Sequence, residues 1–292
     1  IAHIVDKKCP AGVCKNLLQF SIIQDKCKKC SLCARVCPTN AITGVVGGGR
    51  GYRNLPGYVE VNQTYVLLNG TDYTQRDDEA PMAYRVYGGG NLSLVHNTRI
   101  DAYSGTVERI FGGTHGVKTV SLDDQIPYNV GNTLINYYEG MKYNLTDVFG
   151  AGANSGTNSA VINLYGGRVN NVHGGAYTEG YTLATQINVP AESTIQANAI
   201  FGGGMGEEER RPCDVGISEI NYASAYATVE EGLFGGNNNA RATAETKITL
   251  NVPLKNRAGN LQAVYGGGYG SATVAGFTLI DLGEGAHVAK VY

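Results

Sequence analysis

The chain has 292 residues, 42% of them hydrophobic and 16% charged, with a formal net charge of −2. Such a balance excludes a highly charged disordered tail and carries no electrostatic footprint for nucleic acid, so no nucleic-acid partner is expected. No apolar run of ~20 residues occurs, so no membrane span is expected either.

Composition divides the chain near Val45. Residues 1–44 hold six of the seven cysteines, two of the 41 glycines and none of the 19 tyrosines. They are also basic, with Lys7, Lys8, Lys15, Lys26, Lys28, Lys29 and Arg35 against Asp6 and Asp25. Stretches this unlike seldom share one core. The expected organisation is a partial 4Fe–4S ferredoxin-type segment over 1–44, a junction over 45–79 and a repeat domain over 80–292.

His3, Cys9 and Cys14 come first, in an H-x5-C-x4-C pattern. Three soft ligands of this kind could share one zinc ion, with the fourth ligand supplied from elsewhere. Equally, Cys9 and Cys14 could pack as small apolar residues beside Val13, Leu17 and Leu18.

Next comes Cys27-Lys28-Lys29-Cys30-Ser31-Leu32-Cys33-Ala34-Arg35-Val36-Cys37-Pro38, a C-x2-C-x2-C-x3-C-P run. Thiolates at this spacing in a tight loop can each point at one corner of a cubane iron–sulfur cluster, and the proline turns the chain after the fourth. A four-cysteine zinc site normally uses two knuckles separated by a longer stretch, and disulfide frameworks rarely crowd cysteines this closely. Cys27, Cys30 and Cys33 are therefore the expected ligands of a 4Fe–4S cluster. In two-cluster ferredoxins the fourth cysteine of a run ligates the other cluster, and no second run follows here. Cys37 then either completes a single cluster, or the site is a labile three-cysteine one, or it is half of a truncated pair.

The combination KKCPAGVCKNLL, DKCKKCSLCARVCP and NAITG resembles the C-terminal ferredoxin-like extension of the NADH- and flavin-binding subunit of NAD-dependent hydrogenases and complex I-like dehydrogenases. The resemblance spans about residues 1–44. It implies a cluster that relays electrons to a redox partner subunit, and a bridging zinc near His3, Cys9 and Cys14. Two departures stand out: Lys29 and Ser31 flank Cys30 where glycine is usual, and the second cysteine run is missing. No G-x-G-x-x-G segment lies between a strand and a helix near the cysteines, so no dinucleotide site is assigned.

Beyond residue 80 an aliphatic residue, an aromatic and glycines recur. The copies are Val86-Tyr87, Ile110-Phe111, Val148-Phe149, Leu164-Tyr165, Ile200-Phe201, Leu233-Phe234 and Val264-Tyr265, with Val172-His173 a degenerate copy. Between them lie alternating runs such as Lys118–Leu122, Ser159–Leu164, Lys247–Val252 and Phe277–Leu282, which read as short strands. Stacked coils would bury Val, Ile and Leu and align the aromatics in a column along the axis, although no single repeat could bury a core alone. The fold class is thus mainly β: a small ferredoxin-like iron–sulfur segment followed by a glycine-rich parallel β-helix or β-solenoid. This part resembles VYGGG-repeat surface proteins of Bacteroidales-type bacteria, which implies an exported, adhesin-like solenoid that meets a carbohydrate or protein surface. Asp77-Asp78-Glu79, Asp123-Asp124 and Glu207-Glu208-Glu209-Arg210-Arg211 are its dense charge groups and read as solvated loops rather than catalytic clusters.

The chain begins at Ile1 without a signal peptide, and His287–Tyr292 match the lead-in to one more repeat, so both ends read as cut. The cluster segment implies a reducing cytoplasm and the solenoid a cell surface. Two functional readings result. One is an electron-transfer segment of an NAD-linked oxidoreductase joined to a solenoid; the other is a non-enzymatic surface solenoid with an inert cysteine segment. In either case the join, natural or chimeric, falls near Gly44 to Tyr52.

Overall fold

The computed structural model describes residues 44–48, 60–70, 83–116, 130–206, 213–239 and 242–292. Every regular element among them is a strand, and all the strand pairs are parallel.

The strands alternate between two sheets. One sheet holds β1 (Gly44–Val46), β3 (Ala83–Tyr87), β5 (Val107–Phe111), β7 (Asp147–Phe149), β9 (Arg168–His173), β11 (Gln196–Phe201), β13 (Thr228–Phe234), β15 (Ala263–Tyr265) and β18 (Lys290–Val291) in that order. The other holds β2 (Glu60–Asn69), β4 (Leu94–Gly105), β6 (Val130–Met141), β8 (Thr157–Leu164), β10 (Thr182–Val189), β12 (Val215–Tyr222) and β14 (Ala242–Leu250). β14 is followed by β16 (Thr273–Val274) and β17 (Thr278–Leu282), which both pair with it as two pieces of one broken strand. One strand of each sheet makes a coil, and the coils stack as a parallel β-solenoid. The expected fold is the observed one. The first sheet already begins at Gly44, the last residue of the segment read as ferredoxin-type, and the second at Glu60, inside the stretch read as a junction; Val45-Val46-Gly47-Gly48 is itself a repeat copy whose aromatic is replaced by valine.

The core follows from register. Val66, Ile100, Ile135, Ile162, Ile187, Ile220, Ile248 and Ile280 occupy one position on successive strands of the second sheet. Facing them are Val86, Ile110, Val148, Val172, Ile200, Leu233 and Val264 of the first sheet, all fully buried. β-Branched residues fit this pleated surface, and each buried aliphatic side chain contributes about 1.5–3 kcal/mol. Because side chains alternate along a strand, the next residue of each copy points away from that core. There Tyr87, Phe111, Phe149, His173, Phe201, Phe234, Tyr265 and Tyr292 stack ring on ring, with centroids 4.6–5.1 Å apart. The aromatic column does run along the axis, but on the outer face of the first sheet, beneath Tyr177, Met205 and Tyr269.

Two copies exchange roles relative to the sequence pattern. Leu164-Tyr165-Gly-Gly ends β8 of the second sheet, where Gly167, at φ 92°, makes a tight turn into β9. Tyr165 consequently joins a separate stack with Tyr138 and Tyr103, at 4.9 and 4.3 Å. The column position is filled instead by His173 of the degenerate copy.

The first glycine of each true copy points back inward. Gly88, Gly112, Gly150, Gly202, Gly235 and Gly266 accept hydrogen bonds at their carbonyls from Thr64, Thr98, Thr133, Thr185, Ser218 and Thr246 of the second sheet. A Cβ on Gly150 would lie well inside 3 Å of the Gly174 carbonyl oxygen and the Ala160 methyl, so only glycine lets the coils close to this spacing.

Candidate functional site

Cys27, Cys30, Cys33 and Cys37, together with His3, Cys9 and Cys14, lie outside the described residues. The cysteine run ends only a few residues before Gly44, where β1 starts the first sheet. Its donor set fits a cubane cluster: four thiolates within one short run are soft, anionic ligands, and the flanking lysines and arginine offset part of the negative charge they gather. The remaining cysteine, Cys213, is fully buried, and its Sγ donates to the Ala176 carbonyl at 3.1 Å. Burial pushes its thiol far up, so it is held as an inert thiol rather than as a ligand.

Among the described residues no group of three or more His, Cys, Asp or Glu side chains could hold a metal ion. The three charge groups singled out in the sequence, at 77–79, 123–124 and 207–211, lie outside the described residues.

What the solenoid does organise is a polar column on the outer face of the second sheet. Asn136 donates to Asp101 at 2.7 Å, Asn163 to Asn136 at 2.8 Å, Asn188 to Asn163 at 2.8 Å and Asn221 to Asn188 at 3.1 Å. Parallel in-register pairing puts these amides one above the other. Asp101 terminates the ladder, buried, and also accepts from Arg99 at 3.1 Å and from the Tyr65 hydroxyl at 2.7 Å. Burial pushes its carboxyl up, but hydrogen bonds from Arg99, Asn136 and Tyr65 outweigh this and hold it below the usual carboxylate range. The carboxylate is saturated by its neighbours, which makes it a structural anchor rather than an acid or base. The sequence carries a signal for the ladder that the aromatic motif overshadows: Ile-Asn or Ile-Asp recurs at 100–101, 135–136, 162–163, 187–188, 220–221 and 280–281.

His173 is the other notable group. It sits between Phe149 and Phe201 at 4.9 Å on each side, and its Nδ1 is buried without a partner. Burial pushes its pKa down to about 3, so the imidazole is neutral at ordinary pH and does no proton transfer there.

Comparison with known proteins bears on the other end of the chain. Residues 20–43 match the 4Fe-4S binding domain family, a stretch that contains the whole C-x2-C-x2-C-x3-C-P run. The NADP-reducing hydrogenase subunit HndC of Solidesulfovibrio fructosivorans is 56% identical over 43 residues, covering 15% of this chain and 9% of that subunit. No solved structure matches the chain. The chain therefore carries a 4Fe–4S electron-transfer segment, followed in sequence by a parallel β-solenoid. The part similar to the hydrogenase subunit spans less than a tenth of that protein's length.

Proposed function

We propose that residues 1–44 form a one-electron relay, with Cys27, Cys30 and Cys33 as ligands of a 4Fe–4S cluster and Cys37 as the fourth or bridging ligand. The match of residues 20–43 to the 4Fe-4S binding domain carries this reading. Such a cluster supplies single-electron transfer at low potential, and the thiolates fix its charge and position. Lys28, Lys29 and Arg35 lie beside the ligands in sequence, where positive charge favours the reduced, more negative cluster. The source and sink of the electron are a flavin-containing, nicotinamide-linked core and its partner subunit, as the similarity to a hydrogenase subunit suggests. The segment works in a reducing compartment, where thiolates stay available to iron.

A second reading keeps the solenoid as the functional part, a surface or adhesive module with an inert cysteine segment. It is favoured by the extent of the two sheets, which run from Gly44 to Val291. The two readings part on one experiment: iron and acid-labile sulfide per chain after anaerobic reconstitution, with electron paramagnetic resonance of the reduced protein. About four of each with a fast-relaxing signal are expected from the relay. Cys30→Ser should remove the visible colour and leave the β-rich far-ultraviolet spectrum unchanged. Colourless wild-type protein without iron would overturn the relay. The same metal analysis reads zinc, with about one ion per chain expected if His3, Cys9 and Cys14 bind it.

A further inference from the structure

A polar groove crosses the starts of two adjacent strands in the middle of the first sheet. Its floor is Arg168 and Asn170 of β9 with Gln196 and Asn198 of β11, and Leu145 and Arg257 line it as well. Connection lengths explain why a groove forms here. Only Tyr165, Gly166 and Gly167 join β8 to β9, whereas residues 142–146 and 190–195 form longer connections on the coils before and after. The short turn leaves a depression between the longer ones.

Two arginines line the groove, and one of them, Arg168, has no carboxylate paired with it among the described residues. Arg257 is anchored by Glu230, which accepts from its Nε at 2.6 Å and from its backbone N at 3.2 Å. Arg168 is exposed and its side chain makes no ion pair with a described carboxylate, while its backbone carbonyl accepts from the Tyr137 hydroxyl at 2.5 Å. The floor amides are set in place from below. Asn170 donates to Asp147 at 2.9 Å and Asn198 to Asn171 at 3.2 Å, so each has fixed orientation and bonding capacity to spare. The Gln196 side-chain oxygen is itself buried, so Asn170 and Asn198 are the amides the groove offers.

We propose that this groove binds a carboxylated oligosaccharide. A guanidinium fork pairs with a carboxylate through two parallel bonds, and amides that both donate and accept match vicinal hydroxyls. Asn170 and Asn198 lie opposite each other on successive coils, one strand spacing of about 4.8 Å apart, a step close to that of successive sugar units. A nucleic-acid strand fits less well, because the groove has no aromatic platform for a base.

The test is isothermal titration calorimetry of the full chain with a galacturonate trimer and, in parallel, a neutral galactose trimer. The acidic trimer is expected to bind at least tenfold more tightly than the neutral one, and binding should weaken as salt rises. Arg168→Ala should reduce affinity for the acidic trimer at least tenfold. Arg168→Lys should recover only part of it, since a point charge replaces the fork. Among the described residues the Arg168 side chain makes no hydrogen bond or ion pair, so both variants should keep the wild-type far-ultraviolet spectrum. No binding of the acidic trimer, equal binding of the neutral one, or unchanged affinity in a folded Arg168→Ala variant would each overturn the proposal.

Discussion

Replacing His173 by phenylalanine should stabilise the solenoid, and more so in mild acid. His173 is fully packed in a column whose neighbours on both sides are Phe149 and Phe201, and its Nδ1 has no hydrogen-bond partner. A buried, unsatisfied polar atom costs about 1–3 kcal/mol, which phenylalanine removes at any pH while keeping the stack. Titration adds a pH-dependent part. The folded-state pKa is pushed down to about 3, whereas an unfolded-chain histidine titrates near ~6.5. The stability linked to this group is thus fully present above pH ~6.5 and is lost as pH falls towards about 3, because the unfolded state takes up the proton first. At pH 5 the loss is about 2 kcal/mol, from roughly 1.5 pH units at 1.36 kcal/mol each. For a chain of this size that corresponds to about 3–4 °C of melting temperature. Thermal melts of wild type and His173→Phe by circular dichroism, at pH 7 and pH 5, give the result. The gap between the two proteins should widen by that amount at pH 5. His115, whose pKa is also lowered by burial, is common to both and cancels. An equal gap at both pH values, or a variant less stable than wild type at both, would refute the reasoning.

Gly150→Ala should cost about 2–4 kcal/mol, because its methyl would strike the Gly174 carbonyl and Ala160, while Gly267→Ala, where a Cβ meets nothing within 4 Å, should be near neutral; urea midpoints distinguish them. Asn163→Ala interrupts the amide ladder, leaving the Asn136 oxygen and the Asn188 amide unpaired, and should cost about 1–3 kcal/mol, with faster hydrogen exchange in β6 and β10 than in β2 and β14.

Much of this protein was legible without coordinates. The spacing from Cys27 to Cys37 pointed to a 4Fe–4S segment by itself, and residues 20–43 match that domain family, because a few thiolates close together in sequence are enough to state such a pattern. The solenoid was legible for a related reason: alternation in runs such as Ser159–Leu164 fixes a strand, and repeated Val-Tyr-Gly-Gly copies fix a stack. Tertiary structure decided which copies belong together. Leu164-Tyr165-Gly-Gly and Val172-His173-Gly-Gly look alike locally, yet they lie on opposite sheets, since sheet membership depends on the length of the connection before each strand and not on the motif. Register, likewise, is a relation between coils. It alone turns scattered Asn136, Asn163, Asn188 and Asn221 into one ladder on Asp101, buries a histidine among phenylalanines, and gathers Arg168, Gln196 and Arg257 around one groove.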